Sequence, residues 1–370
     1  NIRSIYKNVV TLLHMKTVFF LALFFFSRPA YNQTAGATKR WSNASYNKIA
    51  TDFRTLLRRP PVEFRASFQT YVTDSVIMEK GFIYTEEAER VPILIYKPLI
   101  RATNSFPAVI CLHGTGGSKD EESITNLLYQ FSKRGIMGIA IDARYHGERI
   151  AGAANKAEQY IAAIASEWKN PDTKNRRYPF YYDTVYDLWR LIDYLVTRPD
   201  VQPNRIGMMG ISMGGIETWL AASVDKRIKV AVPVIAAQSF KWSLENNRWQ
   251  GRARTIWSVH EQAAKDAGGS NVAKESVRSV WAKLIPGITE EFDCPSMIRL
   301  FAPRPLLLLN NGKDENCPLP GAKIAFNAAK NAYKATHAAN KLQVRVIPNE
   351  PHRFLPQHAE MTLAWFKKWL

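Results

Sequence analysis

The chain from residue 205 to residue 220 has the sequence RIGMMGISMGGIETWL. Its first seven residues form an apolar run typical of a buried strand, and apolar residues recur at helical spacing after Gly215. Between these segments lies GISMG, residues 210–214, a G-x-S-x-G pattern whose glycines allow a very tight turn. The pattern predicts a strand, a turn and a helix in direct succession, with the Ser212 hydroxyl projecting above the edge of a sheet. A structural serine in an ordinary strand–helix turn is the alternative.

Short apolar runs alternate with amphipathic stretches along most of the chain. Continuous apolar strands are typical of a parallel sheet that is covered on both faces. The sequence therefore predicts an α/β fold with a mostly parallel sheet of about eight strands and helices on both faces. Besides 205–211, the predicted strands are 91–96, 107–112, 136–141, 230–236, 305–310 and 342–347, and the clearest predicted helices are 183–197 and 356–370.

These strands divide the chain into five parts. Residues 35–90 are interpreted as an N-terminal extension, and residues 91–237 and 302–370 as the two parts of the α/β core. Residues 238–301 separate two strands by far more chain than a βα connection needs. We predict that they form a helical cap over the carboxyl ends of the strands, with an extended outer helix layer as the alternative. Residues 1–34 are interpreted as a signal peptide with upstream residues.

The signal-peptide prediction rests on Lys16 followed by the apolar run 17–26, which is too short to span a bilayer. Met15 is interpreted as the start of translation. The protein is therefore expected to be secreted or periplasmic, with no stable membrane anchor. An uncleaved anchor or a buried strand is the alternative.

The formal net charge of +18 over 370 residues is the most unusual feature of the composition. Four of these positive charges lie in residues 1–34, and the other basic residues are scattered along the chain. No zinc-ligand spacing, helix-turn-helix pattern or RNP-type strand accompanies them. We therefore predict a solvated basic surface and no nucleic-acid partner.

Three cysteines are too few to form a disulfide framework in a chain of this size, so a large buried core is expected. Cys111 is predicted to be a packed core thiol. Cys294 and Cys317 lie on either side of the predicted strand 305–310, and a disulfide between them stays open for an exported protein.

A serine hydroxyl becomes an effective nucleophile when a base takes its proton and a carboxylate orients that base. His352 lies in EPHRF, residues 350–354, five residues after a predicted strand, and is the candidate base. Asp314 lies in NGKDE, residues 311–315, four residues after the preceding strand, and is the candidate acid. The competing residues are Glu315 and Asp293 for the acid, and His337 and His358, both expected at the surface, for the base.

The tetrahedral intermediate of acyl transfer carries an oxyanion that needs hydrogen-bond donors. HGTGG, residues 113–117, directly follows a predicted strand and forms a loop whose backbone N–H groups can turn inward. Thr115 and Gly116 are the candidate donors in this loop, and the Met213 N–H after Ser212 is another. The glycines lack the Lys-Ser/Thr pair of a P-loop and the G-x-G-x-x-G spacing. We predict neither a cofactor nor a metal.

These motifs resemble those of the α/β-hydrolase superfamily over about residues 60–370. Within it, the similarity is to the branch of dienelactone hydrolases, acetyl xylan esterases and prolyl-oligopeptidase-like proteins. The resemblance implies a serine hydrolase with Ser, Asp and His in that chain order and with no cofactor. It also implies that Asp142, Arg144 and His146 brace the site. Dienelactone hydrolases use a Cys nucleophile, whereas this chain has Ser212. The motifs are HGTGG at 113–117, DARYHG at 142–147, RPDV at 198–201 before RIG at 205–207, and GISMGG at 210–215.

The resemblance and the candidate residues favour a carboxylic-ester hydrolase that acts through an acyl-enzyme on Ser212. A serine peptidase of the prolyl-oligopeptidase type is the alternative, although residues 35–90 are too few for the propeller of such enzymes. A non-catalytic binding protein on the same fold is the third hypothesis. The substrate is expected to be a small-molecule or polymer-linked ester. The candidate substrate-binding residues, all in the predicted cap, are Trp242, Trp249 and Trp257.

Overall fold

The computed structural model describes residues 43–99, 105–150 and 157–370. In this part of the chain, nine strands form one mixed sheet in the order β1-β2-β3-β5-β4-β6-β7-β8-β9. The run from β4 to β9 is parallel, whereas β1, β2 and β3 join it in antiparallel fashion. The strands are β1 (Ser67–Val72), β2 (Val76–Glu86), β3 (Glu89–Pro98), β4 (Phe106–Leu112), β5 (Met137–Ile141), β6 (Val201–Ile211), β7 (Ile228–Val234), β8 (Leu306–Asn311) and β9 (Leu342–Ile347).

Helices connect most of the parallel strands. None of the described helices is both long enough and apolar enough to cross a membrane. The predicted signal peptide lies outside the described residues. The helices are α1 (Asn43–Leu56), α2 (Glu122–Ser132), α3 (Glu158–Lys169), α4 (Tyr182–Leu195), α5 (Met213–Val224), α6 (Phe240–Glu245), α7 (Gln250–Ala253), α8 (Trp257–Asp266), α9 (Lys274–Leu284), α10 (Cys294–Met297), α11 (Leu319–Ala335) and α12 (Pro356–Trp369).

The seven predicted strands correspond to β3 through β9, and the predicted helices 183–197 and 356–370 correspond to α4 and α12. The sheet is larger than the predicted eight strands because β1 and β2 form a hairpin within the predicted N-terminal extension. Five of the six β1 residues are exposed, so this strand has no continuous apolar run in its sequence. The extension therefore contributes to the sheet itself.

Both faces of the sheet are covered by helices. Phe131 of α2 and Phe366 of α12 meet edge to face, with 5.4 Å between ring centroids, inside an apolar cluster that includes Val109 and Met209. None of the described residues of that cluster belongs to α4 or α5, which contact each other and the sheet. We infer that α4 and α5 cover the opposite face. Every residue of α5 is buried, so the helix after Ser212 lies in the core.

The register of the parallel strands brings their carboxyl ends to one edge. Leu112 pairs with Gly210 between β4 and β6, and Ile211 pairs with Val234 between β6 and β7. On the other side, β8 and β9 end together, with Asn311 opposite Ile347. The four loops that follow β4, β6, β8 and β9 therefore leave the sheet side by side.

The segment between β7 and β8 is helical, as the sequence predicts for 238–301. Its helices α8 and α9 pack together and against α3, while α10 packs against α5 and α11. These contacts are those of an extended outer helix layer. One part also reaches the sheet edge, because Gly251 lies so close to the Glu315 carbonyl that a side chain there would clash with it. A cap over the strand ends stays a prediction.

Candidate active site

Ser212 lies on the turn between β6 and α5 with φ 54° and ψ −108°, a conformation that non-glycine residues rarely adopt. Two interactions keep it there. The Ser212 N–H donates to the Val234 carbonyl at 2.9 Å, and the Gly214 N–H donates to the His113 carbonyl at 3.1 Å. A side chain at Gly210 would clash with the Gly214 carbonyl, which explains the first glycine of the pattern. Strain of this kind costs about 1–3 kcal/mol and is concentrated at functional sites.

The structure brings Ser212, His352 and Asp314 into one hydrogen-bonded chain. The Ser212 Oγ lies 2.7 Å from His352 Nε2, and His352 Nδ1 lies 2.7 Å from Asp314 Oδ2. Because the carboxylate accepts, Nδ1 carries the proton and Nε2 is free to accept the serine proton. The Asp314 side chain is fully buried, whereas that of His352 is 20% exposed. The chain thus runs from the interior to an accessible serine hydroxyl.

Asp314 is held by the turn that it opens. Its Oδ1 accepts hydrogen bonds from the N–H groups of Asn316 and Cys317, both at 2.8 Å, so Oδ2 is left for His352. Glu315, the main competitor for the acid, points away from this arrangement. Its side chain is 74% exposed and lies 3.6 Å from Arg254.

Asn311, which sequence reasoning missed, orients the histidine loop. Its Nδ2 donates to the carbonyls of Pro351 at 2.6 Å and Arg353 at 2.9 Å, the residues on either side of His352. The side chain is buried at the end of β8. The available signal was a pair of asparagines closing the otherwise apolar run LLLL.

The HGTGG loop lies directly beside Ser212. A Cβ built on Gly114 would lie 3.8 Å from the Ser212 Cβ. The Gly117 N–H donates to the Gly114 carbonyl at 3.0 Å, and Gly116 has φ +78°, as required at the third position of a type II turn. Within the described residues, the N–H groups of Thr115, Gly116 and Met213 have no hydrogen-bond acceptor. Unpaired donors beside a serine hydroxyl are what an oxyanion site requires.

His113 fixes the start of this loop. Its Nε2 accepts from the Ala143 N–H at 3.1 Å, so Nδ1 carries the proton and donates to the Gly114 carbonyl at 2.8 Å. Burial lowers the pKa of His113 to about 4, which keeps the ring neutral. The sequence indicated backbone donors in the glycine-rich part of this motif, whereas its histidine holds the loop in place.

The family model described as the Abhydrolase family matches residues 25–352. The chain belongs to this abhydrolase family. It is 27% identical over 289 residues to the Bacillus subtilis (strain 168) protein named "Putative hydrolase YtaP". The alignment covers 72% of this chain and 83% of that protein.

Solved structures of two acetyl xylan esterases share the fold. The enzyme from Paenibacillus sp. R4 has a TM-score of 0.64 at 20% identity, covering 89% of this chain and 96% of its own. Acetyl xylan esterase 1 from Thermoanaerobacterium sp. JW/SL YS485 has a TM-score of 0.61 at 16% identity, covering 88% and 92%. The predicted α/β-hydrolase fold is thereby confirmed.

In this abhydrolase, the DARYHG motif forms a buried ion network behind the HGTGG loop. The Asp142 carboxylate accepts from the Lys119 N–H at 2.8 Å and the Glu148 N–H at 2.9 Å. The Arg144 guanidinium pairs with Asp187 through two hydrogen bonds of 2.6 and 2.8 Å. Burial alone would raise the pKa of Asp187, but Arg144 and a second arginine hold it well below its ordinary value. These contacts suit the bracing role that the resemblance implied for Asp142 and Arg144.

His146 is the third residue to which the resemblance gave a bracing role. Its Nδ1 lies 2.7 Å from the Arg144 carbonyl, and its ring packs against those of His113 and Tyr160. Burial lowers the pKa of His146 to about 4. The neutral ring packs between the HGTGG loop and α3, which is consistent with the bracing role. It donates no proton to Ser212.

The three tryptophans proposed for substrate binding lie within the inserted segment. Trp242 packs on the first turn of α11, where a Cβ on Gly321 would lie 2.7 Å from its ring. Trp249 is buried and stacks on Trp257, with 6.4 Å between centroids, and Trp257 is 37% exposed. Their role in binding substrate stays a prediction.

One expectation about an individual residue is wrong. His358 was expected at the surface but is buried. Its Nδ1 accepts a hydrogen bond from the Leu355 N–H at 3.2 Å, so the side chain is used to close the first turn of α12. His337 is exposed, as expected. Cys294 and Cys317 are both buried free thiols, as is the predicted core residue Cys111.

One group of three possible metal ligands occurs in the described part of the chain. The donor atoms of Asp314, Cys317 and His352 lie within 4.8 Å of one another. All three side chains already form hydrogen bonds. Asp314 binds His352, and the Arg252 guanidinium lies 2.9 Å from the Cys317 Sγ. A guanidinium at that distance repels a cation, so the donor set does not fit a metal ion.

Proposed function

We propose that this protein hydrolyses carboxylic esters through an acyl-enzyme on Ser212, with His352 as general base and Asp314 as the orienting acid. The observation that supports the proposal most directly is the unbroken hydrogen-bond chain from Ser212 Oγ through both nitrogens of His352 to Asp314. It lies beside backbone N–H groups that have no acceptor in the described chain.

The reaction begins when Ser212 Oγ attacks the ester carbonyl carbon and its proton passes to His352 Nε2. The tetrahedral oxyanion accepts hydrogen bonds from the Met213 N–H and from Thr115 or Gly116. The C–O bond to the alcohol then breaks, and the imidazolium returns the proton to the leaving alkoxide. Water repeats the sequence on the acyl-enzyme, releasing the carboxylic acid and restoring Ser212. Asp314 accepts the hydrogen bond of His352 Nδ1–H throughout and stabilises the imidazolium.

We propose short acyl esters, on a small alcohol or on a polymer, as the substrate class. Two proteins with this fold are named acetyl xylan esterases, which makes acetyl esters the first probes to test. The acyl group enters beside Ser212, whose neighbours are the HGTGG loop and the His352 loop.

The first test compares Ser212→Ala with the exposed helix variant Ser258→Ala on p-nitrophenyl acetate. Loss of the nucleophile is expected to lower kcat by about 10⁴-fold or more, whereas Ser258→Ala keeps the wild-type rate. Wild-type protein is expected to show a burst of p-nitrophenol and to react covalently with a fluorophosphonate probe. Wild-type turnover that survives in Ser212→Ala would contradict the proposal. Faster cleavage of aminoacyl-naphthylamides than of esters would favour the peptidase alternative.

The acid assignment is tested by Asp314→Asn against Glu315→Gln. An amide at 314 favours the wrong histidine tautomer, so kcat is expected to fall by about 10³–10⁴-fold. Glu315→Gln is expected to change kcat by less than about twofold, because its exposed ion pair contributes little. The reverse order of the two effects would transfer the role to Glu315.

A further inference from the structure

Arg252 is a fully buried cation that no described carboxylate pairs with. It lies on α7 in the inserted segment, and its side chain is 1% exposed. No acid of the described chain lies within 4 Å of its guanidinium, and its Nε has no hydrogen-bond acceptor there. Burying an unpaired charge is strongly unfavourable for folding, so an arginine in this position indicates a role beyond packing.

The guanidinium lies against the turn that holds Asp314. Its Nη2 donates to the Cys317 Sγ at 2.9 Å, and the Cys317 thiol donates to the Ile235 carbonyl at 3.2 Å. The Cys317 N–H in turn donates to Asp314 Oδ1 at 2.8 Å. Two successive hydrogen bonds therefore link Arg252 to the carboxylate that holds His352.

The backbone next to Arg252 is equally close to this turn. Gly251 packs on the Glu315 and Asn316 backbone with no space for a side chain. Arg252 also interacts electrostatically with the Tyr181 phenol, and its guanidinium lies 5.7 Å from the Phe240 ring centroid. The cation is therefore clamped between the inserted segment, the start of α4 and the Asp314 turn.

We propose that Arg252 is a positioning residue for the hydrolytic site: its guanidinium fixes the Asp314–Cys317 turn and keeps a positive charge beside the Asp314 carboxylate. This inference rests on the proposed ester hydrolysis. It assigns the inserted segment a function in the reaction itself.

The charge has a consequence that simple packing would not have. An arginine stays protonated in proteins, and attraction between Arg252 and Asp314 acts through a buried, weakly screened region. A cation attracts the Asp314 carboxylate and repels the imidazolium that forms when His352 takes the Ser212 proton. Removing this charge therefore changes the electrostatics of the Asp314–His352 pair, which a pH–rate profile measures.

Few other ionisable groups face Arg252. Burial raises the pKa of Tyr160, Tyr181, Glu217 and Cys294, which favours their neutral forms. Arg252 is thus the buried cation of this region, and Asp314 is a carboxylate that interacts with it electrostatically from beyond ion-pair distance. The groups that interact with Arg252 are Tyr160 of α3, Tyr181 before α4, and Asp314 and Cys317 after β8. Glu217 of α5 interacts with the two tyrosines, Cys294 of α10 interacts with Cys317, and Arg248 and Arg254 are close to Arg252 in the sequence.

The test measures kcat/KM for p-nitrophenyl acetate from about pH 5 to 9 in Arg252→Met and Arg252→Gln. Both variants are expected to shift the acidic limb of the profile upward by about half a pH unit or more. Arg252→Gln is the milder change, because it retains a donor for Cys317, and it serves if Arg252→Met does not fold.

Arg304→Met is the matched control. Arg304 is a partly buried arginine that likewise forms no ion pair with a carboxylate of the described chain, and it binds carbonyls at the far end of α5. The 12-residue helix places it about 18 Å from Ser212. Arg304→Met is expected to lower stability while leaving the acidic limb in place.

Two results would overturn the inference: an unshifted limb in folded Arg252→Gln, or an equal shift in Arg304→Met. Failure of the proposed function gives a different result, because wild-type turnover would then not exceed that of Ser212→Ala.

Discussion

Asn311 shows how one side chain can join two loops that meet only in the folded protein. It ends β8, three residues before Asp314, yet its amide binds the carbonyls on both sides of His352. The backbone adds two further links, from the Gly312 N–H to the Ile347 carbonyl and from the Lys313 N–H to the Glu350 carbonyl. The loops that carry Asp314 and His352 are therefore joined by four hydrogen bonds besides the one between these two side chains.

We predict that Asn311→Ala lowers kcat by about 10–100-fold, because misplacing a catalytic group by about 1 Å costs on the order of 10² in rate. The neighbouring variant Asn310→Ala is the control. Asn310 is equally buried but binds the Ala237 carbonyl at 3.2 Å, away from His352. Both variants are expected to unfold more easily in urea, and only Asn311→Ala to lose rate. Equal kcat values in the two would show that Asn311 acts through stability alone.

At this scale, the sequence predicted the residues that carry the proposed chemistry and missed those that place them. Ser212, Asp314 and His352 follow strand ends, which an apolar run makes visible. Asn311 has its acceptors 40 and 42 residues further along, and Arg252 has Cys317 65 residues away. Such partners are determined by strand order and by how the insertion packs, and no local pattern encodes either.

Among the helices, α5 is held at both ends by unusual contacts. Its first turn begins at the strained Ser212, and carbonyls at its C-terminal end are bound by the guanidinium of the partly buried Arg304. Arg304 donates to the carbonyls of Ala222 at 2.8 Å, Asp225 at 2.8 Å and Ile228 at 2.7 Å. Burial lowers the pKa of Arg304 to about 10, which leaves it charged at neutral pH. A cation at a helix C-terminus also stabilises the helix dipole.

We predict that Arg304→Met lowers the free energy of unfolding by about 2–4 kcal/mol, because several buried carbonyls lose their donor. Urea unfolding followed by circular dichroism measures this. Arg278→Met, on an exposed position of α9, is the comparison and is expected to change stability by less than about 0.5 kcal/mol. A similar small effect in Arg304→Met would mean that water replaces the guanidinium.

The strands show which elements can be predicted from sequence. β3 through β9 were located to within a few residues because buried parallel strands have continuous apolar runs. β1 and β2 were missed because a hairpin with one solvent-facing strand has no such run. The inserted helices were predicted as helices, whereas their packing on α3, α5 and α11 had no signal in the sequence.

Over the whole molecule, four buried histidines make stability depend on pH. Burial lowers the pKa of each to about 4, from an ordinary value of 6.5. The unfolded chain therefore binds more protons between pH 6.5 and 4, and stability is full above 6.5 and falls as the pH drops toward 4. Burial raises the pKa of Asp293 and Glu217, so these two acids add stability as the pH drops. The four histidines outnumber them, so the net stability is expected to fall. The four are His113, His146, His260 and His358.

His260 isolates this effect, because neither of its ring nitrogens has a partner among the described residues and it lies in α8. We predict that His260→Met reduces the stability lost between about pH 7 and 5 by about 1–2 kcal/mol. Urea unfolding at the two pH values measures it. Exposed His337→Gln is expected to keep the wild-type pH dependence. An unchanged loss in His260→Met would mean that the ring is already protonated in the folded protein.

The strained turn at Ser212 also makes the proposed nucleophile a marker of completed folding. The backbone hydrogen bonds of this turn reach β7 and the residue after β4, and the proposed base, His352, lies on the loop after β9. A chain that has not yet paired its last strand has the serine but not its activation. Covalent labelling of Ser212 would therefore count only the molecules that have completed the sheet, so one reagent can titrate active sites and score refolding yield together.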